Sequence, residues 1–300
     1  MADDALKNES TPDFQWYEDD IPIRGCELSL QKIKLAYREL SALTTKEGER
    51  IIAAAIQKND GETDDEFATR KEALLGNAFR LTVSIIGFDG QNAYGESEAI
   101  FESKNIPLPI KTIYFTNITA FKRNAEGHEP ANRFEFWYRL EKPLLFDPNP
   151  LLSDPTPNGS HVVIRADDVT YIRAVQTIVG DRLRSKRKWY SFIHERFAYD
   201  IGLWFVAMPY ALYWVTAFMD HFLPADGKNS SFRVAFFIYG MVLSLIVYRA
   251  MAGYLKWAFP VNTLEENKDR ATGHRVVIAG VLLGAIGPGV RSLFAKMNGF

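Results

Sequence analysis

The densest group of side chains able to do chemistry is a basic run, Arg182, Arg184, Lys186, Arg187 and Lys188, followed at once by Trp189, Tyr190, Phe192 and Phe197. Cations beside amphipathic rings suit a layer of anionic lipid headgroups. Each cation near such a surface contributes ~1 kcal/mol, and the rings settle at headgroup depth. At ~100° per residue, Arg184, Lys186, Arg187 and Lys188 spread around a helix, which predicts a collar and not a shaped pocket. Arg182, Arg184, Lys186, Arg187, Lys188, Trp189 and Tyr190 are therefore the expected lipid-headgroup and membrane-interface residues.

Other reactive residues lack partners at useful spacing. His128, His161, His194, His221 and His274 show neither HxxxH nor HxxEH spacing, and Cys26 is the single cysteine. No metal site, no cofactor and no disulfide framework is expected. A lone thiol without a base reads as a buried structural cysteine. The histidines read as solvated or interfacial. His194-Glu195, with Asp181 upstream, comes nearest to an acid–base set for a lipid-interface enzyme but lacks a second carboxylate beside it. Gly87-Phe88-Asp89-Gly90 carries a hairpin signal and not the acid spacing of a calcium loop. GxSxG, P-loop and GxGxxG motifs are absent, so no catalytic residue is assigned.

These residues need elements to hold them. The stretch 1–27 is acidic and reads as a mobile tail whose end docks through Trp16, Tyr17, Ile21 and Ile23. Ser29 to about Lys58 carries Ile33, Tyr37 and Leu40 on one helical stripe, with a break signalled by Thr44, Thr45 and Gly48. Thr63-Asp64-Asp65-Glu66 opens a second helix, since acids suit a helix N-terminus. Phe79 to Ile85 alternates as a strand, Asp89-Gly90 turns it, and a return strand lies within Gln91–Glu102. Lys111–Phe121, Arg133–Leu140 and His161–Arg165 read as further strands. In Arg133–Leu140, Phe134, Phe136 and Tyr138 take one face and Glu135, Trp137 and Arg139 the other. Asp167 or Asp168 then caps a closing helix with Ile172, Val175, Val179 and Leu183 as its stripe. That helix is expected to run on to about Arg196. The fold class is α+β: two helices, an antiparallel sheet of about five strands and a closing helix, spanning 28–185.

Residues 186–300 are expected to form a membrane domain, since composition turns overwhelmingly apolar from Ile201 to Ala258. Ile201 to Met219 carries no charged residue, and about 20 apolar residues cross the ~30 Å hydrocarbon core. Spans are expected at about 199–220 and 232–255, joined by a short polar turn. A third run, 276–295, contains Gly280 and Gly284 and is expected either to cross or to form a re-entrant or interfacial segment. Lys and Arg crowd both outer flanks, while the turn holds Lys228 and Arg233. This bias places the α+β domain in the cytoplasm and the turn outside. With no basic, apolar start to act as an export signal, the sequons at Asn117, Asn158 and Asn229 are expected to stay unmodified.

The net charge of −2, and a basic run pressed against the bilayer, exclude nucleic acid as an expected partner. Expected partners are the membrane with its anionic headgroups, a protein or small ligand for the cytoplasmic domain, and further copies of this chain. The leading functional expectation is a membrane-anchored, non-enzymatic binding or sensor module. An oligomeric membrane effector or pore is the alternative. The topology has a direct consequence: in a Cys26→Ser background, Ser230→Cys should react with an impermeant thiol reagent added to intact cells. Labelling only after lysis would reverse the orientation.

Overall fold

The computed structural model describes residues 16–143, 156–184, 188–195, 202–223, 230–267, 273–278 and 280. Contacts divide the chain into two compact units. The first comprises 1–141, 158–188 and 262–267, and the second 142–157, 189–261 and 268–300.

The first unit is a mixed α+β fold built on a six-stranded sheet. The elements are β1 (Tyr17–Pro22), β2 (Glu27–Leu28), α1 (Leu30–Ala55), α2 (Asp64–Ala78), β3 (Thr82–Gly87), β4 (Asn92–Gly95), β5 (Ile110–Thr116), α3 (Ile118–Asn124), β6 (Arg133–Arg139), β7 (His161–Ala166), α4 (Val169–Ile178) and, after the second unit's helices, β8 (Thr263–Leu264). Sheet order is β1-β7-β6-β5-β3-β4, with antiparallel neighbours throughout. The acidic stretch read as a tail thus supplies an edge strand: Ile21 pairs with Val162 and faces the core.

Local chemistry explains the helix starts. The Ser29 hydroxyl accepts from the Lys32 amide at 3.3 Å. Thr63 and Glu66 form a reciprocal capping box, satisfying two amides that a helix start otherwise orphans. The Asp168 carboxylate accepts from the Thr170 amide at 2.7 Å. The expected stripe Ile172, Val175, Val179 and Leu183 is buried throughout.

Period-2 alternation then sorts the sheet. Val83, Ile85, Ile113, Phe115, Phe134, Phe136, Tyr138, Val162 and Ile164 lie in one core with Ile33, Ala36, Tyr37 and Leu40 of α1 and Tyr171, Ile172 and Val175 of α4. Phe115 and Phe136 stack at 4.3 Å, and Tyr37 meets Phe115 edge-on at 5.8 Å. Each such ring contributes roughly 1.5–3 kcal/mol by leaving water. A second cluster joins Ile51, Ile52 and Ile56 to Ala78, Phe79 and Phe121.

Three sequence expectations change here. First, α1 runs unbroken through Gly48. That glycine is a packing device: a Cβ there would meet the Phe79 ring at 2.4 Å and Leu75 at 2.8 Å. Secondly, the run Lys111–Phe121 is not one strand. Asn117 is buried and ties itself to β6, donating to the Asn132 carbonyl at 2.9 Å and accepting from the Phe134 amide at 3.0 Å. The strand stops there and α3 follows. Thirdly, the closing helix does not reach Arg196. It ends in a π-helical turn, Val179–Leu183, closed by Arg184 N–H donating to the Val179 carbonyl at 3.1 Å, and Arg184 itself is extended.

The second unit holds two apolar helices. A π-helical turn, Gly202–Ala207, leads directly into α5 (Met208–Phe222), and Pro209, which has no N–H to donate back into that preceding turn, lies just after it. α6 (Ser230–Ala258) returns antiparallel. Phe218 and Phe236 stack at 5.9 Å, and Gly240 admits Val215, which a Cβ would meet at 2.9 Å. Arg233 pairs with Asp220 at 2.6 Å and donates to the Leu223 carbonyl, fastening the turn. Of the third expected span, only 276–278 and 280 fall among the described residues.

The Gly48 contact carries a prediction. Gly48→Ala forces Phe79 and Leu75 apart and should destabilise the first unit by about 1–3 kcal/mol. Chemical denaturation checks it; an unchanged midpoint would show that the α1–α2 packing yields freely.

Candidate functional site

Two places in the first unit gather polar chemistry. One is the point where the chain leaves for the apolar helices and returns. β8 pairs in parallel with β2, through Glu27–Thr263 and Leu28–Leu264. Leu264 is buried in the main core. A two-residue ladder is weak alone, and side chains reinforce it. The Asn262 amide donates to the Ile23 carbonyl at 3.1 Å and to Asn158 Oδ1 at 3.0 Å. Glu266 accepts from the Leu30 amide at 2.8 Å, placing a carboxylate on the N-terminus of α1, where the helix dipole favours it. Asn267 bonds both the amide and the carbonyl of Ile110, at 2.8 and 2.7 Å. The Tyr138 hydroxyl donates to the Thr263 carbonyl at 2.8 Å.

The expected headgroup residues sort differently around this point. Lys188 lies inside the first unit: its amide donates to the Gly25 carbonyl at 3.0 Å, and its ammonium contacts Thr263 and sits 3.6 Å from Glu27. Arg182 pairs with Glu39 of α1 at 2.6 Å. Arg184 is exposed. Lys186 and Arg187 lie outside the described residues. In the second unit Trp189 is 77% exposed, whereas Tyr190 is buried against Phe259, ring centroids 5.1 Å apart. Arg184 is extended and Trp189–His194 is a 3₁₀ helix; the part of the expected collar formed by Lys186 and Arg187 lies outside the described residues.

The second place is the open face of the sheet. Its cross-strand row reads Tyr94, Ser84, Tyr114, Trp137, His161 and Pro22. Tyr114 and Trp137 pack at 4.0 Å, and the Arg139 guanidinium lies 5.1 Å from the Trp137 ring centre. Where α3 overhangs β5 and β6, a cleft of about 400 Å³ opens, lined by Tyr114, Ile118, Lys122, Arg123, Glu129 and Glu135. The Tyr114 hydroxyl donates to Glu135 Oε2 at 3.0 Å. Burial, and then the Glu135 charge, push its pKa up.

Two ion-pair triads flank this cleft. Glu96 sits between Arg80, at 2.7 Å, and Arg123. The hydrogen bond from Arg123 holds its carboxyl below the usual range. Glu129 sits between Lys122, at 2.6 Å, and Arg133, at 3.2 Å. The hydrogen bond from Lys122 lowers that carboxyl likewise. Sequence reading put Glu135, Trp137 and Arg139 on one face of β6 but assigned them no role. The signal was an aromatic residue on the polar face of two neighbouring strands.

Two further residues singled out in the sequence, Cys26 and His194, are buried. Cys26 is buried, its thiol donating to the Arg24 carbonyl at 3.3 Å. Among the described residues no three acids, histidines or cysteines are grouped to hold a metal ion. His194, expected as solvated or interfacial, is buried. Its Nε2 faces the Phe259 carbonyl, which only accepts, so Nε2 carries the proton. Nδ1 then accepts from the Thr156 hydroxyl at 2.9 Å. Both nitrogens are engaged, and among the described residues His194 is not bonded to a carboxylate. Its pKa is lowered, first by burial, with the nearby Lys256 charge acting in the same direction.

His194 gives this region a pH dependence. A histidine with a depressed folded pKa is neutral in both states above its unfolded value, ~6.5. Below that the unfolded chain takes up the proton first, so stability falls until the folded pKa is passed. Thermal unfolding of the detergent-solubilised chain should therefore shift downward as pH falls from 7 toward 5, and His194→Gln should flatten the slope. An equal slope in both proteins would remove His194 as the cause.

Comparison with protein-family models, with curated proteins and with solved structures gives no match.

Proposed function

We propose that this chain is a membrane-anchored binding module: a cytoplasmic α+β unit that recognises a ligand and is coupled to a two-helix membrane hairpin. Length and composition support the anchor. Gly202–Phe222 has 21 residues and Ser230–Ala258 has 29, and their most apolar stretches are wholly unburied. Phe205 and Tyr239 are 77% and 78% exposed. A soluble protein would hide such surface, whereas lipid takes it. At 1.5 Å per residue α6 is about 43 Å long, more than the ~30 Å core. Its surplus matches its last turns, where Ala252, Lys256 and Ala258 are buried. The basic flanks orient the hairpin with both ends inside, where exposed cations and Trp189 meet anionic headgroups.

The observation that carries the coupling is the return of residues 262–267 into the sheet unit. A simple tether has one linker. Here the chain departs at Lys188, bonded to Gly25, and re-enters at Thr263, whose amide donates to the Cys26 carbonyl at 3.1 Å. Adjacent carbonyls thus hold both ends of the 189–261 excursion, so a shift of the β2 segment reaches both membrane helices together.

Three chains test it. The full chain should stay in the membrane pellet at alkaline pH. A chain with 189–261 replaced by a short Gly/Ser linker should be soluble and folded. A chain ending at Lys188 loses Leu264 and the hydrogen bonds of Asn262, Glu266 and Asn267, and should be less stable than the excised chain by about 3 kcal/mol or more. Release of the full chain at alkaline pH would sink the anchor. Equal stability of the two shorter chains would sink the coupling.

A further inference from the structure

We propose that the cleft between α3 and the open face of β5 and β6 binds a guanine nucleotide, with Tyr114 and Glu135 taking the base and Lys122 and Arg123 the phosphate. This names the ligand class of the binding module proposed above and rests on that reading.

The floor selects the base. The Tyr114 ring, held in place by Trp137, offers a flat apolar surface, and stacking on such a surface contributes about 1–3 kcal/mol per base. Beside it lies a carboxylate with one oxygen bonded to the Tyr114 hydroxyl and the other, Glu135 Oε1, without a hydrogen-bond partner among the described residues. An ionised carboxylate only accepts and has room for about four bonds. Guanine alone among the common bases presents two adjacent donors, N1–H and the N2 amine, to a carboxylate edge. Adenine places an acceptor at N1, which would face Glu135 lone pair to lone pair.

The rim selects the anionic tail. Each flanking triad holds two cations around one carboxylate, Arg80–Glu96–Arg123 and Lys122–Glu129–Arg133. Each therefore carries one surplus positive charge, and the Arg80 Nε is buried without a hydrogen-bond partner among the described residues. Lys122 and Arg123 line the cleft, one from each triad. Their present pairs are largely surface pairs, which exchange for a phosphate at little cost. With Glu135 included, four cations face three carboxylates. An arginine-bearing peptide would also suit Tyr114 and Glu135, but this rim repels it. The cleft volume, about 400 Å³, falls within the range of small-molecule sites, ~300–1,000 Å³.

The test is calorimetric titration of the full chain in detergent with GTP, ATP, guanosine and an arginine-rich peptide. GTP should bind about tenfold or more tighter than ATP, because a site built for donor hydrogens rejects an analogue lacking them. It should also bind about tenfold or more tighter than guanosine, which lacks the phosphate. Glu135→Gln should weaken GTP by about tenfold or more and leave ATP unchanged, since Gln adds an N–H donor against N1–H. Lys122→Gln should weaken GTP and leave guanosine unchanged. Both side chains are partly exposed, and circular dichroism verifies that the variants fold. Equal GTP and ATP affinity, no GTP heat at about 1 mM, or indifference to Glu135→Gln overturns the proposal. Tighter binding of ATP or of the peptide, lost in Glu135→Gln, also overturns it while leaving the binding module standing.

Discussion

The parallel pairing of β2 with β8 is the contact on which the architecture rests. It joins residues 236 positions apart, Glu27 with Thr263 and Leu28 with Leu264, so the apolar helices become an insertion within the α+β unit and not an appendage to it. The ladder supplies little by itself. Its strength comes from Leu264 in the core and from side chains that behave like backbone: Asn267 imitates a strand partner for Ile110, and Glu266 completes the start of α1. Truncating any one leaves a backbone group of another element short of a partner, and an unsatisfied buried group costs more than its bond contributes.

The sheet divides its labour by pleat. One face, covered by α1 and α4, is mainly apolar. The other carries the row from Tyr94 to His161, with salt-bridge triads at one end under α3. Rigidity on the first face fixes the spacing of groups on the second. Tyr114 and Glu135 cannot drift apart, because Thr116 opposite Glu135, and Phe115 opposite Phe136, are locked into the ladder and the core. Groups held that way lose little entropy on engaging a ligand, which is the ordinary advantage of a site on strands over one on loops.

The apolar helices follow the opposite logic. Their mutual contact is thin and specific, Gly240 against Val215 and Phe218 against Phe236, while most large side chains face outward. Water would not stabilise such a pair. In lipid, close approach at a small residue is what holds helices together. At the base of α6 the surroundings change, and His194, Phe259 and Thr156 form a compact polar knot.

The sequence by itself determined the local elements and the two long apolar runs. Alternation in Phe79–Ile85 and Arg133–Leu140, the Thr63–Glu66 cap and the stripe from Ile172 to Leu183 are all short-range patterns, and short-range physics makes them. The uncharged run from Ile201 is as plain, because being long and apolar enough to cross a membrane is a property of one continuous stretch of sequence. Tertiary structure alone decided the rest. Tyr17–Pro22 is acidic and lacks a full alternating face, and it becomes a strand because β7 offers an open edge. Gly48 reads as a helix breaker until Phe79 is placed against it. Asn117 ends a strand through partners on β6. The meeting of Tyr114, Lys122 and Glu135 around one cleft depends on how β5, α3 and β6 fold against one another, although the three lie within one short stretch of sequence. The return of Asn262–Asn267 to β2 joins positions far apart in the chain. No short window of sequence contains that pairing, because its stability comes from a core that exists only once the distant segments have met.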